Sequence, residues 1–247
     1  MGLFAAMWLI SGLVRFDAAV DWAVVVAVST SALLTSAIVV LNDYFDRFHD
    51  QKKGRVLASE QTTFFVLFVV AIWVFTLGGI VIVYMAYPFG GIAFFVLALI
   101  GIIYSCFRHI AFLSALTVGI CYGGLSVPAA AIATESVSTD AIWAFLAVLM
   151  FVVARETIFD IEDVSIDMGY KKTLPVLLGP KIAKHLAGGG LVVGFMLTLA
   201  ISPWMLLLWF IVPMQILELL KSRPNLVKIN VSLDAQALGF LAIYAIT

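Results

Sequence analysis

At 247 residues, with 64% hydrophobic and 12% charged side chains and a mean hydropathy of +1.14, the chain carries about half the charge of an ordinary soluble domain. Its apolar residues fall in many segments, which excludes a water-soluble globule and predicts one polytopic, all-α integral membrane domain over 1–247. A net charge of −1 says little about partners and gives no reason to expect nucleic acid.

The N-terminus, MGLFAAMWLISGLV, is apolar but has no basic stretch ahead of it, so a cleaved signal peptide is not expected. Apolar windows predict nine spans at about 2–14, 19–42, 62–86, 89–107, 110–133, 141–159, 182–201, 204–220 and 229–247. The first is short against the ~20 residues a crossing needs, so it is expected to tilt into the interface or to be the tail of a longer helix. Tyr87-Pro88 and Ser202-Pro203 are expected to break long apolar runs into hairpins. Cys106 and Cys121 lie inside apolar segments without metal-ligand or disulfide spacing and read as packing residues.

An alternating nine-helix path puts thirteen of the fourteen Lys and Arg on one side, Arg15 being the exception. The positive-inside rule makes that side cytoplasmic. The opposite face carries Asp17, Asp21, Glu135 and Asp140 on short links, so any chemistry is expected to face the cytoplasm.

Two acidic stretches end spans on that side. In NDYFDRFHD, Asp43, Asp46 and Asp50 are spaced three and four apart, which places them within about 60° on one helical face. In RETIFDIEDVSID the spacing recurs at Asp160, Asp163 and Asp167. An ionised Asp at mid-bilayer costs about 2.5 to 3.5 kcal/mol, and three on one face repel one another. One such cluster fits a solvated helix end as well as a metal site; the matched pair favours metal. Carboxylate oxygens are the hard ligands Mg²⁺ takes, usually one or two of them with substrate phosphates completing its octahedron. Two facing clusters could hold two or three ions around a diphosphate. Glu156, one turn before Asp160, is expected to share that face, and Glu162 to point into solvent.

Cations surround these clusters: Lys52, Lys53 and Arg55 after the first, Lys171 and Lys172 after the second, and Arg108 four residues beyond Tyr104. They would stabilise the charge of a leaving diphosphate. Arg55 and Arg108 stand above what topology alone would put on this side, and Lys181, Lys184, Lys221, Arg223 and Lys228 do not.

These residues resemble the UbiA superfamily of intramembrane prenyltransferases. Asn42, Asp43, Asp46 and Asp50 resemble its NDxxDxxxD motif, and RVLASEQ, from Arg55, resembles a divergent RPLPSG stretch. Tyr104 and Arg108 in YSCFR resemble YxxxK with Arg for Lys, which keeps the charge and adds a planar fork suited to phosphate. RETIFDIEDVSIDMGYKKTLPVLLG is similar to the DIED…TLP form of the branch that includes archaeal digeranylgeranylglyceryl phosphate synthase.

The resemblance implies nine helices around a cavity open sideways to lipid, and Mg²⁺-dependent transfer of a prenyl group from a polyprenyl diphosphate to a hydrophobic or aromatic acceptor through an allylic carbocation. Asp43, Asp46, Asp50, Asp160, Asp163 and Asp167 would bind metal, and Asn42 would orient the first site. Arg55, Tyr104, Arg108, Lys171 and Lys172 would hold the diphosphate; Asn42, Asp46, Asp163 and Tyr104 are the expected catalytic set. Three departures stand out. The family's longer N-terminal segment is absent, so the first helix is expected to be short or incomplete. Ser165-Ile166 replaces an acidic-Gly pair, and the link to Thr173 is one residue shorter. A membrane terpene cyclase using the same donor is the alternative. A cation transporter fits less well, because the acids sit at one membrane face and not at the midplane.

Overall fold

The structure, a computed structural model, describes residues 2–50, 62–107, 113–169, 172–208, 210–221 and 224–246. Every regular element among them is helical: α1 (Gly2–Arg15), α2 (Trp22–Asp50), α3 (Thr62–Ala86), α4 (Pro88–Phe107), α5 (Leu113–Gly123), α6 (Ser126–Thr134), α7 (Thr139–Glu162), α8 (Val164–Asp167), α9 (Leu174–Leu178), α10 (Pro180–Leu199), a 3₁₀ turn (Pro203–Leu208), α11 (Ile211–Leu219) and α12 (Leu226–Ile246). Lipid offers backbone groups no hydrogen-bond partners, so a helix, which satisfies its own, is the economical way through it.

Among the described residues six stretches are long and apolar enough to cross a membrane: Trp22–Arg47, Thr63–Ala86, Pro88–Cys106, Leu113–Thr134, Thr139–Glu162 and Pro180–Leu199. On α3 the side chains of Phe64, Leu67, Val74 and Phe75 are all more than 60% exposed, a surface suited to acyl chains and not to water. The remaining apolar segments are shorter. The predicted 2–14 segment is the 14-residue α1. The predicted 204–220 segment divides into the 3₁₀ turn and α11, and the unbroken apolar part of α12 is Val231–Ile246.

Local chemistry sets the boundaries. The Asp21 carboxylate accepts from the Val24 N–H at 2.8 Å and so caps α2. Ser138 does the same for α7, its Oγ accepting from the Ala141 N–H at 3.1 Å. Pro88 opens α4 with only Tyr87 between it and the end of α3 at Ala86, and Pro203 opens the 3₁₀ turn, as the sequence predicts. The predicted 110–133 span bends at Gly124–Leu125, because Pro128 has no N–H for the Gly124 carbonyl.

Helix α7 sits centrally, packed on α5 and α10, while α1 packs between α2, α6 and α12. Gly119 and Gly123, four residues apart on α5, let that helix approach α7 closely: a Cβ on Gly123 would lie 2.6 Å from the Phe145 carbonyl oxygen. On the other side of the bundle, Trp8 stacks on Tyr244 at 5.1 Å and on Phe240 at 5.3 Å, fixing α1 to α12. At the far end from the acid motifs Arg15 pairs with Asp140 and the Tyr87 hydroxyl donates to Asp21 at 2.6 Å. These are links that the alternating path assigns to one membrane side.

Candidate active site

The C-terminal half of α2 turns one face inward. Leu34, Thr35, Ile38, Val39, Asn42, Asp43 and Asp46 all line a cavity of about 380 Å³. The three-and-four spacing that buries apolar residues along α2 therefore delivers the acids to the same space. Asp46 is 4% exposed.

The second motif arrives differently. Glu156 and Asp160 project from α7, which ends at Glu162. Asp163 breaks the helix with φ −89° and ψ 1°. Its N–H still donates to the Phe159 carbonyl at 3.1 Å, and its own carbonyl accepts from the Asp167 N–H at 2.9 Å. Asp163 and Asp167 thus reach the cavity from the junction and the short helix α8, with Asp167 1% exposed. The repeated spacing is carried by two different backbones.

The cavity gathers Asn42, Asp43, Asp46, Asp160, Asp163, Asp167 and Tyr104 from the predicted set. Lys172 is exposed and does not line it. Arg55, Arg108 and Lys171 lie outside the described residues, as does the side chain of Asp50, whose backbone ends α2. Glu156 lines the cavity and Glu162 is exposed, both as the sequence predicts.

Arg155, which the sequence offers only as one of the thirteen same-side charges, lines the cavity as well. It sits 3.7 Å from Glu156 and 3.5 Å from Asp234 of α12, with its guanidinium over the Phe159 ring at 4.6 Å. On a helical wheel it lies about 140° from Asp160, so spacing hides it and only its long side chain brings it in. Tyr122 and Cys121 of α5 complete the wall.

A second cavity, of about 350 Å³, lies between α1, α7 and α12 and shares Tyr122, Arg155 and Glu156 with the first.

The donor set fits a hard divalent cation. Carboxylates and an amide oxygen surround one space, and the Asn42 Oδ1 is buried there without a hydrogen-bond partner. Among the described residues no three acidic, His or Cys side chains converge on one point. A magnesium site does not require it, since this ion takes one or two carboxylates and fills the rest with water and phosphate oxygens.

The sequence matches the UbiA prenyltransferase family over residues 2–243. The chain belongs to that family. No curated protein sequence matches this UbiA member. Among solved structures it resembles the apo UbiA homologue of Aeropyrum pernix K1, with a TM-score of 0.74 and 17% identity over 98% of this chain and 97% of that one. It also resembles digeranylgeranylglyceryl phosphate synthase, with a TM-score of 0.72 and 16% identity over 99% and 92%. A third is the Archaeoglobus fulgidus UbiA homologue bound to DMAPP and Mg²⁺, with a TM-score of 0.70 and 14% identity over 99% and 94%. As a family member the chain is a prenyltransferase held in the membrane by its apolar helices.

Proposed function

We propose that this enzyme transfers the prenyl group of a polyprenyl diphosphate to a hydrophobic or aromatic acceptor, with Mg²⁺ held by Asp43, Asp46, Asp160, Asp163 and Asp167 and the diphosphate lying between the two acid motifs. The observation that carries this reading is that both motifs line one cavity together with apolar side chains such as Leu34, Ile38, Leu97 and Val118. Digeranylgeranylglyceryl phosphate synthase and the DMAPP- and Mg²⁺-bound homologue share the fold and lend it support.

When bound, Mg²⁺ neutralises the charge that develops on the leaving diphosphate. Asn42 offers its unpartnered Oδ1 beside the acids and orients that end of the cavity. Arg155 and Tyr104, both on the cavity wall, hold diphosphate oxygens. Arg55, Arg108, Lys171 and Lys172 remain candidates for the same task, as does Asp50 for metal. As the C–O bond breaks, the rings of Tyr104 and Tyr122 line the space where the allylic cation would form, and Leu34, Ile38, Leu97 and Val118 keep water from it. The acceptor's nucleophilic atom then captures the cation and gives up its proton, and the diphosphate departs.

The reading includes nine membrane crossings, a lateral opening for the prenyl tail, and acid motifs on the cytoplasmic side. Thirteen of fourteen basic residues on one side of the alternating path support that orientation.

The test is diphosphate release by purified protein in nanodiscs, with geranyl diphosphate, Mg²⁺ and a panel of acceptors. Asp46→Ala and Asp163→Ala are each expected to lower kcat/KM at least about 100-fold. Normal turnover in either variant would refute the two-motif clamp. Efficient hydrocarbon or terpene alcohol formation without acceptor would replace transfer with cyclisation.

A further inference from the structure

The start of α10, the end of α11 and the start of α12 meet in a group of lysines that lines neither cavity. Half-buried Lys184 of α10 donates from its Nζ to the Lys221 carbonyl at 3.2 Å. Lys221 and Lys228 both turn to the Glu218 carboxylate, their Nζ atoms lying 2.6 Å and 4.0 Å from its Oε2. The Glu218 Oε1 accepts from the Asn225 N–H at 3.0 Å, and the Asn225 Oδ1 caps α12 by accepting from the Lys228 N–H at 3.0 Å. Glu218 is buried, at 8% exposed, whereas the side chains of Lys221 and Lys228 are 58% and 62% exposed. Three ammonium groups around one carboxylate leave two positive charges in excess, beside the positive end of the α12 dipole. Topology alone would place lysines on one side of the membrane; it does not bring them together from three helix ends.

We propose that this corner binds an anionic phospholipid of the surrounding bilayer, with its phosphate among Lys184, Lys221 and Lys228 and its acyl chains along α10 and α11. The apolar surface beside the lysines is what selects a lipid over a soluble anion. Met214 and Leu217, one turn apart on α11 and 61% and 68% exposed, lead directly to Lys221. On α10, Lys181, Val192 and Met196 fall within about 60° on one face, and Met196 is 50% exposed. An exposed apolar row thus ends in a cation on both helices, which is the pattern of a phospholipid read from tail to headgroup. The charge excess selects the headgroup. Phosphatidylglycerol brings a phosphate with no cation of its own, whereas the choline of phosphatidylcholine would sit against the lysine ammonium groups. Glu218 draws Lys221 and Lys228 together and so shapes the site without facing the bilayer.

The test is lipid association, which needs no turnover. The full chain is placed in phosphatidylcholine nanodiscs that contain spin-labelled phosphatidylglycerol or spin-labelled phosphatidylcholine with the same chains, and the motionally restricted fraction is read by electron paramagnetic resonance. At physiological ionic strength, where diffuse surface attraction is screened, phosphatidylglycerol is expected to associate about fivefold more strongly than phosphatidylcholine. Lys184→Gln keeps every contact of Glu218 and should lower that ratio to about twofold; Lys184→Arg should keep it. The triple variant Lys184→Gln, Lys221→Gln, Lys228→Gln should bring it close to one. Lys172→Gln removes an equal charge from an exposed lysine outside the cluster and should leave the ratio unchanged. A wild-type ratio near one, an unchanged ratio in both Lys184→Gln and the triple variant, or an equal loss in Lys172→Gln would overturn the proposal. Displacement of the labelled lipid by millimolar glycerol 3-phosphate would overturn it too, since the site would then take a soluble phosphate.

Discussion

Gly123→Ala should loosen the seam between α5 and α7. The added Cβ would lie 2.6 Å from the Phe145 carbonyl oxygen and 3.2 Å from the Leu149 nitrogen, both backbone atoms that no rotamer change can move. Restoring ordinary contact at 3.4 Å requires the helices to part by about 0.8 Å. Overpacking of this kind costs about 1–3 kcal/mol. The better helix propensity of Ala returns about 0.5–1 kcal/mol, leaving, at the middle of both ranges, a net loss of about 1 kcal/mol and a fall in Tm of about 2–5 °C. The neighbouring Cys121 and Tyr122 line the site opposite Glu156 and Phe159, so kcat should drop about tenfold as well. The control is Gly189→Ala on α10, whose Cβ would meet nothing within 4 Å. Its Tm should be unchanged or slightly raised. Thermal unfolding followed by far-UV circular dichroism in nanodiscs reads both variants. A Gly123→Ala protein melting at or above wild type, or a Gly189→Ala protein falling equally, would refute the close-approach argument.

Arg155→Gln removes the cation that stands between the two cavities and leaves Glu156 and Asp234 without it; KM for geranyl diphosphate should rise about tenfold or more, measured by diphosphate release. Tyr87→Phe removes the hydroxyl that, first among several hydrogen bonds, holds the Asp21 carboxyl below its ordinary value of 3.8. In the wild type the Asp21 bond pushes the Tyr87 phenol up from 10.0 to about 12. A lowered acid pKa contributes stability above the ordinary value and loses it as pH falls through the folded one. A raised phenol pKa contributes below 10.0 and loses it as pH rises through about 12. The Tm gap between wild type and Tyr87→Phe should therefore hold across neutral pH, begin to close below pH 3.8, and close again above 10.0.

The membrane class and the first acid motif were legible because each depends on local periodicity. Lipid demands long apolar helices, and α2 is unbroken from Trp22 to Asp50, so a helical wheel places Asp43 and Asp46 together. Pro88 and Pro203 marked real breaks for the same local reason. The second motif was legible in composition but not in geometry, since nothing in DIEDVSID announces that the helix stops at Glu162 and that Asp163 and Asp167 come from a separate turn. The bend before Pro128 was missed because the residues on both sides are equally apolar. Arg155 was hidden for a deeper reason: its partner Asp234 lies on a helix far away in sequence. Lys172 shows the converse, since nearness to Asp167 in sequence did not bring it to the cavity wall.

The distance between the acid motifs is set indirectly. Helices α2 and α7 make little or no direct contact among the described residues; α2 packs on α4, α4 on α5, and α5 on α7. A glycine occupies each of these seams: Gly101 of α4 against Ile38, Gly124 after α5 against Leu97, and Gly123 against Phe145. They are not equivalent. A Cβ on Gly101 would lie 2.3 Å from the Ile38 Cδ1 and 2.5 Å from its Cγ1, both side-chain atoms of a residue that itself lines the cavity. The strain there can be relieved by rotating Ile38 and not by moving helices. Gly101→Ala should therefore cost about 1 kcal/mol or less of stability while narrowing the apolar part of the cavity, so kcat/KM should fall more for a long prenyl diphosphate than for dimethylallyl diphosphate. A fall in Tm as large as that of Gly123→Ala would mean that the α2–α4 seam is as rigid as the α5–α7 seam. An unchanged preference between donors would mean that the prenyl chain does not pass Ile38.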